Sequence, residues 1–315
     1  MNFLFILLGV LCGVMIFTQT TINSQLREHA ESPYASSLIS FLFGTALLLL
    51  LTIIIEGHLF PSLETLQSME WWAYLGGALG IYVVLSAILV FPRIGGVQTV
   101  AIPIFGQMLM SLLIDYFGWF AMDKRPLSLI NILGLIILVI GIVFTVILPD
   151  YHEKKHLATA EKHMKKSGKL FWQILALLSG FCLAIQPAVN GHLGIGISSG
   201  IQAALISFLI GTILLIAINV ILKQMTSVKM AFQKKAPWWF YMGGFLGALY
   251  VFFALVITPE IGTGAFVIFV LIGQMIVSLL IDNYGLLRSR IRKVSYIQII
   301  GLVVMLLGAG IVKLI

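Results

Sequence analysis

Long apolar runs alternate along the whole chain with short polar, glycine or proline punctuation. Each run has the length of a membrane-crossing helix, roughly 20 residues. The pattern predicts ten helical spans, at about 3–26, 34–55, 71–91, 97–118, 128–148, 170–193, 199–222, 238–258, 263–286 and 295–314. None shows the period-two alternation of a membrane β-barrel strand. The first run has no basic residue ahead of it and no small-residue cleavage site, so it reads as a span and not as a secretory signal. One hydrophilic segment breaks the rhythm, starting Pro149-Asp150-Tyr151-His152-Glu153-Lys154-Lys155 and ending at Lys169. It separates residues 1–148 from residues 170–315, with five spans on each side.

The second half copies the first at an offset of 167 residues, without gaps from about Leu8 onward. Gln19 and Asn23 recur as Gln186 and Asn190. Ser40-Phe41-Leu42-Phe43-Gly44-Thr45 recurs as Ser207-Phe208-Leu209-Ile210-Gly211-Thr212, and Trp71-Trp72 as Trp238-Trp239. Gly76, Gly77 and Gly80 match Gly243, Gly244 and Gly247. Gly106-Gln107-Met108 matches Gly273-Gln274-Met275, and Ser111-Leu112-Leu113-Ile114-Asp115 matches Ser278-Leu279-Leu280-Ile281-Asp282. An odd number of spans per copy forces the second copy into the membrane from the opposite side. The expected fold is therefore an all-α polytopic membrane protein of ten helices in two inverted-topology five-helix repeats.

Composition agrees. The 315 residues are 60% hydrophobic and only 10% charged, with a mean hydropathy of +1.08. Soluble proteins carry about 25% charged residues, so a soluble enzyme or a nucleic-acid binder is excluded. The net charge of +7 reports topology. With the 149–169 linker placed in the cytoplasm, all but Lys124, Arg125 and Lys313 of the 19 basic residues fall on the cytoplasmic side. Both termini are then extracytoplasmic, in a multi-pass protein of the cell membrane. Cys12 and Cys182 sit in apolar runs and suggest no disulfide framework. His152, His156 and His163 share a stripe in the linker, where a solvated basic tether on anionic lipid is the plainer role than a metal site. No phosphate-binding glycine loop, nucleophile elbow or HExxH motif occurs. The chain is expected to be no enzyme and to need no metal or cofactor.

The paired Gln-x-x-x-Asn, the Trp-Trp entries to spans 3 and 8, and the Gly-Gln…Ser-Leu-Leu-Ile-Asp of spans 4 and 9 resemble the drug/metabolite transporter superfamily, most of all its YdcZ-type branch in a fused two-repeat form. The resemblance covers nearly the whole chain. It implies a secondary transporter, an exporter, with spans 1, 3, 4 and 6, 8, 9 around a central cavity. The small multidrug-resistance relatives carry a membrane-embedded glutamate in span 1. Here the nearest polar positions are the amides Gln19 and Gln186, so cation/proton antiport does not carry over directly.

Intramembrane polar residues are costly and mark candidate sites. Gln107 and Gln274 lie mid-span and fit either substrate or water coordination, or an interhelical hydrogen bond. Gln19 with Asn23, and Gln186 with Asn190, stand one turn apart on one helix face and fit cavity lining or the capping of a helix end. Tyr82 and Tyr250 offer aromatic contacts to an amphipathic solute. Asp115 and Asp282, the only carboxylates within spans, fit proton or substrate coupling, a hydrated helix terminus, or an ion pair with Arg125 or Arg292. Gly76, Gly77, Gly80, Gly243, Gly244 and Gly247 permit close packing or a bend. The expected function is export of small neutral or zwitterionic metabolites or amphipathic compounds by alternating access. Proton-coupled antiport through the two aspartates, a facilitator or channel, and a non-transporting scaffold are the alternatives. The expected partners are a small-molecule substrate and the lipid bilayer, with no nucleic acid. One chain supplies both halves, so a monomer suffices and a homodimer is compatible.

Overall fold

The computed structural model describes residues 3–122, 124, 126–149, 159–234, 236–261 and 263–314. Ten apolar helices follow one another: α1 (Phe3–Ala30), α2 (Pro33–Glu56), α3 (Gly76–Ile94), α4 (Gly96–Phe117), α5 (Leu129–Ile142), α6 (Thr159–Gly196), α7 (Gly200–Ile221), α8 (Gly243–Ile261), α9 (Thr263–Tyr284) and α10 (Tyr296–Leu314). Eight are long and apolar enough to cross a membrane by themselves, and α8 and α10 hold the two shorter apolar runs. A π-helical turn, Val143–Ile147, prolongs α5. No strand occurs among the described residues.

The repeat extends to the local signals that start and stop helices. Ser32 caps α2 and its mate Ser199 caps α7, each side chain accepting from the backbone N–H three residues on. Ser128 with Asn131 forms a capping box on α5. Ser295 with Gln298 repeats it on α10, at 3.0 and 3.3 Å. Both α4 and α9 end at a left-handed glycine, Gly118 and Gly285, the conformation that glycine adopts without steric cost. The candidate spans start at Trp71 and Gly168, as the apolar runs predict. The third opens with a short 3₁₀ turn, Trp71–Tyr74, before α3, and α6 begins ahead of its span, at Thr159 in the hydrophilic segment.

The two halves pack about a pseudo-twofold axis. Thr45 and Thr212, repeat mates, join hydroxyls at 2.8 Å, and the mates Phe41 and Phe208 lie ring to ring at 5.2 Å. A residue touches its own mate only on the axis, so α2 and α7 cross there. Along the α5–α10 pair, Gly134 meets Gly308 and Gly141 meets Gly301. The numbering rises in one helix as it falls in the other. Mated helices in antiparallel contact place the axis across the bundle, which is the inverted arrangement. Between repeats, α1 crosses α9 at Gly13 and Gly273, and α6 crosses α4 at Gly180 and Gly106. A Cβ on any of these four would run into a backbone carbonyl of the partner helix. Lipid supplies no hydrophobic drive for helix association, and small residues let backbones approach instead.

Candidate functional site

The two sets of motif residues on spans 1 and 8, and on spans 6 and 3, are the halves of one contact. Asn23 of α1 lies against Gly243 of α8, and Gln19 against Gly247, where a Cβ would stand 2.7 Å from Gln19 Oε1. In the mated contact Asn190 of α6 lies against Gly76 of α3, and Gln186 against Gly80, where the corresponding distance to Nε2 is 2.8 Å. The middle glycines serve a third helix. Gly244 abuts the α2 backbone at Ser40 and Gly44, and Gly77 abuts the α7 backbone at Ser207 and Gly211. Asn23 Nδ2 donates to Ser40 Oγ at 3.1 Å, and Gln186 Nε2 donates to Gly76 O at 3.2 Å. The side-chain oxygens of Asn23 and Asn190 are buried without a hydrogen-bond donor among the described residues. They rest on glycine Cα, where a weak Cα–H···O contact is the available interaction.

Gln107 and Gln274 each follow a crossing glycine, Gly106 and Gly273. Both are half-buried, and neither amide is hydrogen-bonded to another described residue, which leaves two polar groups at mid-helix open to water or solute. Tyr82 of α3 hydrogen-bonds Ser86 and neighbours Cys182 of α6. Tyr250 of α8 neighbours Cys12 of α1 and stacks on Phe266. The two tyrosines, although one register apart in the repeat, thus face the corresponding helix pairs α3–α6 and α8–α1.

Asp282, 4% exposed, ends α9 and spans a repeat boundary. Its Oδ1 accepts from Gly96 N at 2.8 Å and its Oδ2 from Val97 N at 2.9 Å, so one carboxylate takes two of the orphan donors at the start of α4. Arg292 completes the arrangement on the other helix of that corner: its Nη2 donates to Pro92 O at 2.7 Å, at the end of α3. Negative charge thus meets a helix N-terminus and positive charge a helix C-terminus. The loop that carries Arg292 folds back through left-handed Gly285, Leu287 and Arg288 and closes with Arg292 N on Asp282 O at 2.6 Å. Gly95, at φ +85°, sits between the two charges; a Cβ there would lie 2.8 Å from Arg292 Nη1 and 3.3 Å from Asp282 Oδ2. Asp115, the mate of Asp282, stands at the opposite face and is half-buried; Arg125, the sequence mate of Arg292, lies outside the described residues.

Residues 4–144 and again 171–311 each match the family model described as "Putative inner membrane exporter, YdcZ". The chain belongs to the YdcZ family. The Inner membrane protein YdcZ of Escherichia coli (strain K12) is 24% identical over 132 residues, which are 42% of this chain and 87% of that protein. One family unit therefore corresponds to one five-helix half, and this chain holds two. Family membership makes it a multi-pass inner-membrane protein of an exporter family.

Within this two-unit family member the pseudo-symmetry is broken in a consistent direction. Asn23 is 1% exposed, whereas its mate Asn190 is half-buried; Ser24 is 1% exposed, whereas Gly191 is open. Gln25 is buried and His192 half-buried, Asp282 buried and Asp115 half-buried. Mated positions see equivalent lipid, so these differences report how tightly each end of the bundle is closed. The end that carries Arg27, Arg93 and the Arg288–Lys293 loop, the basic face, is shut; the far face is looser. At the far face His192 Nε2 meets Glu70 Oε2 at 2.9 Å and stacks on Trp72, which also contacts Phe120. The hydrogen bond from His192 holds the Glu70 carboxyl below the usual carboxylate range. Sequence analysis passed over Glu70 and His192, whose mates Pro237 and Gln25 gave no repeat signal. No cluster of metal-ligating side chains occurs among the described residues. His152 and His156 lie outside them, as does the His163 side chain.

Proposed function

We propose that the chain is a secondary exporter that works by alternating access, with the two inverted halves exchanging a closed basic face for a closed far face. The unequal burial of mated residues at the two ends carries this reading. Two halves of the same fold in opposite orientations have two related ways of being asymmetric, and the second exposes the opposite face. The basic face is cytoplasmic by the distribution of Lys and Arg, which puts the linker inside, both termini outside and the domains at 1–148 and 170–315. In this arrangement the chain rests open to the outside.

The mid-helix amides Gln107 and Gln274, with Gln19, Gln186, Asn190 and Tyr82, give a solute hydrogen-bond donors, acceptors and an aromatic wall without a fixed charge. That chemistry suits small neutral or zwitterionic metabolites and amphipathic compounds. Asn23 is sealed in the closed half and becomes available when the basic face opens. Of the two aspartates, Asp115 is the better proton carrier, because both Asp282 oxygens already accept from backbone N–H groups.

Reconstituted protein given a panel of neutral, zwitterionic and cationic metabolites should show saturable flux with trans-stimulation for at least one zwitterionic or neutral solute. Asp115→Asn should abolish the response to an imposed proton gradient and leave solute exchange intact. Flux without saturation or trans-stimulation would indicate a channel, and no flux from folded protein would indicate a scaffold. Gradient-driven uptake that survives Asp115→Asn would remove Asp115 from coupling.

A further inference from the structure

Beside the Asp282–Arg292 pair lies a cavity of about 210 Å³ at the basic face, lined by Ser24, Gln25 and Glu28 of α1, by the α3–α4 corner, and by Arg288, Arg290 and Arg292. It adjoins a second cavity, of about 430 Å³, which it meets at Glu28, Pro92 and Arg290 and which adds Arg27, Arg93 and Glu31, the last paired with Lys234. Ser24 is 1% and Gln25 8% exposed, and neither side chain hydrogen-bonds to a described residue. Neither is sealed off as an unpartnered buried group, so both present their polar atoms to whatever occupies the cavity they line. The charge around them is net positive. Asp282 is engaged by two backbone donors and faces Arg292 across Gly95, and Glu28 is the other carboxylate of the lining, against Arg288 and Arg290.

The repeat separates this cluster from the structural framework. Asp282 and Arg292 have sequence mates in Asp115 and Arg125. Arg288 and Arg290 replace Ala121 and Asp123, and Ser24 and Gln25 replace Gly191 and His192. Topology calls for positive charge on this face; it does not call for guanidinium groups converging on a cavity floored by a buried hydroxyl and a buried amide.

We propose that this cavity is a binding site for a compact oxyanion, a phosphate or carboxylate group, held by Arg288 and Arg290 through charge-assisted hydrogen bonds and by Ser24 and Gln25 as neutral donors. The volume admits one such group with a small substituent. Because α1, the α3–α4 corner and the α9–α10 loop form the cavity together only while the basic face is shut, the anion stabilises that state by mass action. The site is read from binding at equilibrium, so it stands or falls separately from transport.

The test is thermal stability of the full chain in nanodiscs, in two arms. In discs of zwitterionic lipid alone, inorganic phosphate should raise the melting temperature saturably, and Arg290→Gln or Gln25→Ala should weaken the apparent affinity about ten-fold. Arg290 is exposed, so its replacement leaves the fold intact, and the unliganded melting temperature verifies this. In the second arm, anionic phospholipid is added without phosphate. Stabilisation seen only there, and lost in Arg290→Gln, keeps the site and assigns the oxyanion to a lipid headgroup. Stabilisation in neither arm, or stabilisation equal in wild type and both variants, overturns the proposal.

Discussion

Gly244→Leu should abolish assembly of the folded bundle, whereas Gly310→Leu at a lipid-facing position should leave it unchanged. A Cβ on Gly244 would fall on Ser40 O and lie 2.8 Å from Gly44 N. These are backbone atoms of α2, so no rotamer change relieves the overlap, and the whole helix would have to withdraw. Withdrawal breaks several contacts together. Asn23 loses Ser40 Oγ, Thr45 moves away from Thr212 at the pseudo-twofold axis, and Phe208 no longer fills the space over Gly44. Overpacking alone costs about 1–3 kcal/mol; the loss of an axial contact shared by both halves should exceed that and prevent a monodisperse, cooperatively melting species. Gly310 meets nothing within 4 Å of its would-be Cβ, so Leu there tests helix propensity alone. Size-exclusion profiles and melting of the two variants in one detergent decide the matter. A Gly244→Leu protein that elutes and melts like wild type would show that α2 and α8 are not in this contact. Gly77→Leu at the mated crossing should behave in the same way, since its Cβ would lie 2.5 Å from Ser207 O.

The crossing also shows what the sequence can and cannot reveal. Gln19 with Asn23 and Gly243 with Gly247 both stand out through the repeat, because an identity 167 positions apart survives only where two environments make the same demand. The repeat does not say that the two motifs touch. They lie on α1 and α8, more than two hundred residues apart, and periodicity within a helix fixes only which side chains share a face. The amides therefore read as cavity residues, while the structure sets Asn23 into glycine packing and leaves Gln186 and Asn190 half open. Thr45 and Thr212 were visible as mates, yet a mate pair touches only if it falls on the symmetry axis, and the position of that axis is set by packing of all ten helices. Asp282 is the clearest case. An acidic residue at the end of an apolar run suggests a hydrated terminus or a proton site. Its actual partners, the N–H groups of Gly96 and Val97, carry no side-chain signature, so no spacing rule finds them. Helix number and inversion follow from apolar run length and the repeat, and these were legible.

Asp282→Ala should open the basic face without unfolding the protein. The carboxylate ties the end of α9 to the start of α4, accepting from two backbone donors, while Arg292 holds the carbonyl of Pro92 at the end of α3. Removing it leaves two buried N–H groups without an acceptor and a guanidinium beside Gly95 without its counter-charge. Breaking one side of such an arrangement costs about 3–5 kcal/mol, but here the cost falls on one conformation. In the alternative state, where the α3–α4 corner has moved away from α9, the orphan donors reach water and the penalty disappears. A loss of that size, confined to the closed state, shifts the equilibrium between the two states by roughly two to four powers of ten. Asp282→Asn keeps an acceptor for one N–H and loses the charge, so its effect should be intermediate, and Arg292→Gln should open the same face more weakly, since Asp282 still caps α4. The measurement is modification of a cysteine introduced at Phe17, in a background lacking Cys12 and Cys182, by a membrane-impermeant thiol reagent applied to each side of oriented vesicles. Phe17 is 3% exposed, packs beneath Phe91 and Gly96, and does not line the cavity at that face. Its labelling from the basic side should be slow in the parent and fast after Asp282→Ala, while melting temperature changes little. Equal labelling rates in the two proteins would mean that the aspartate braces the corner in every state; faster labelling together with a collapse of the melting transition would mean that it serves folding alone.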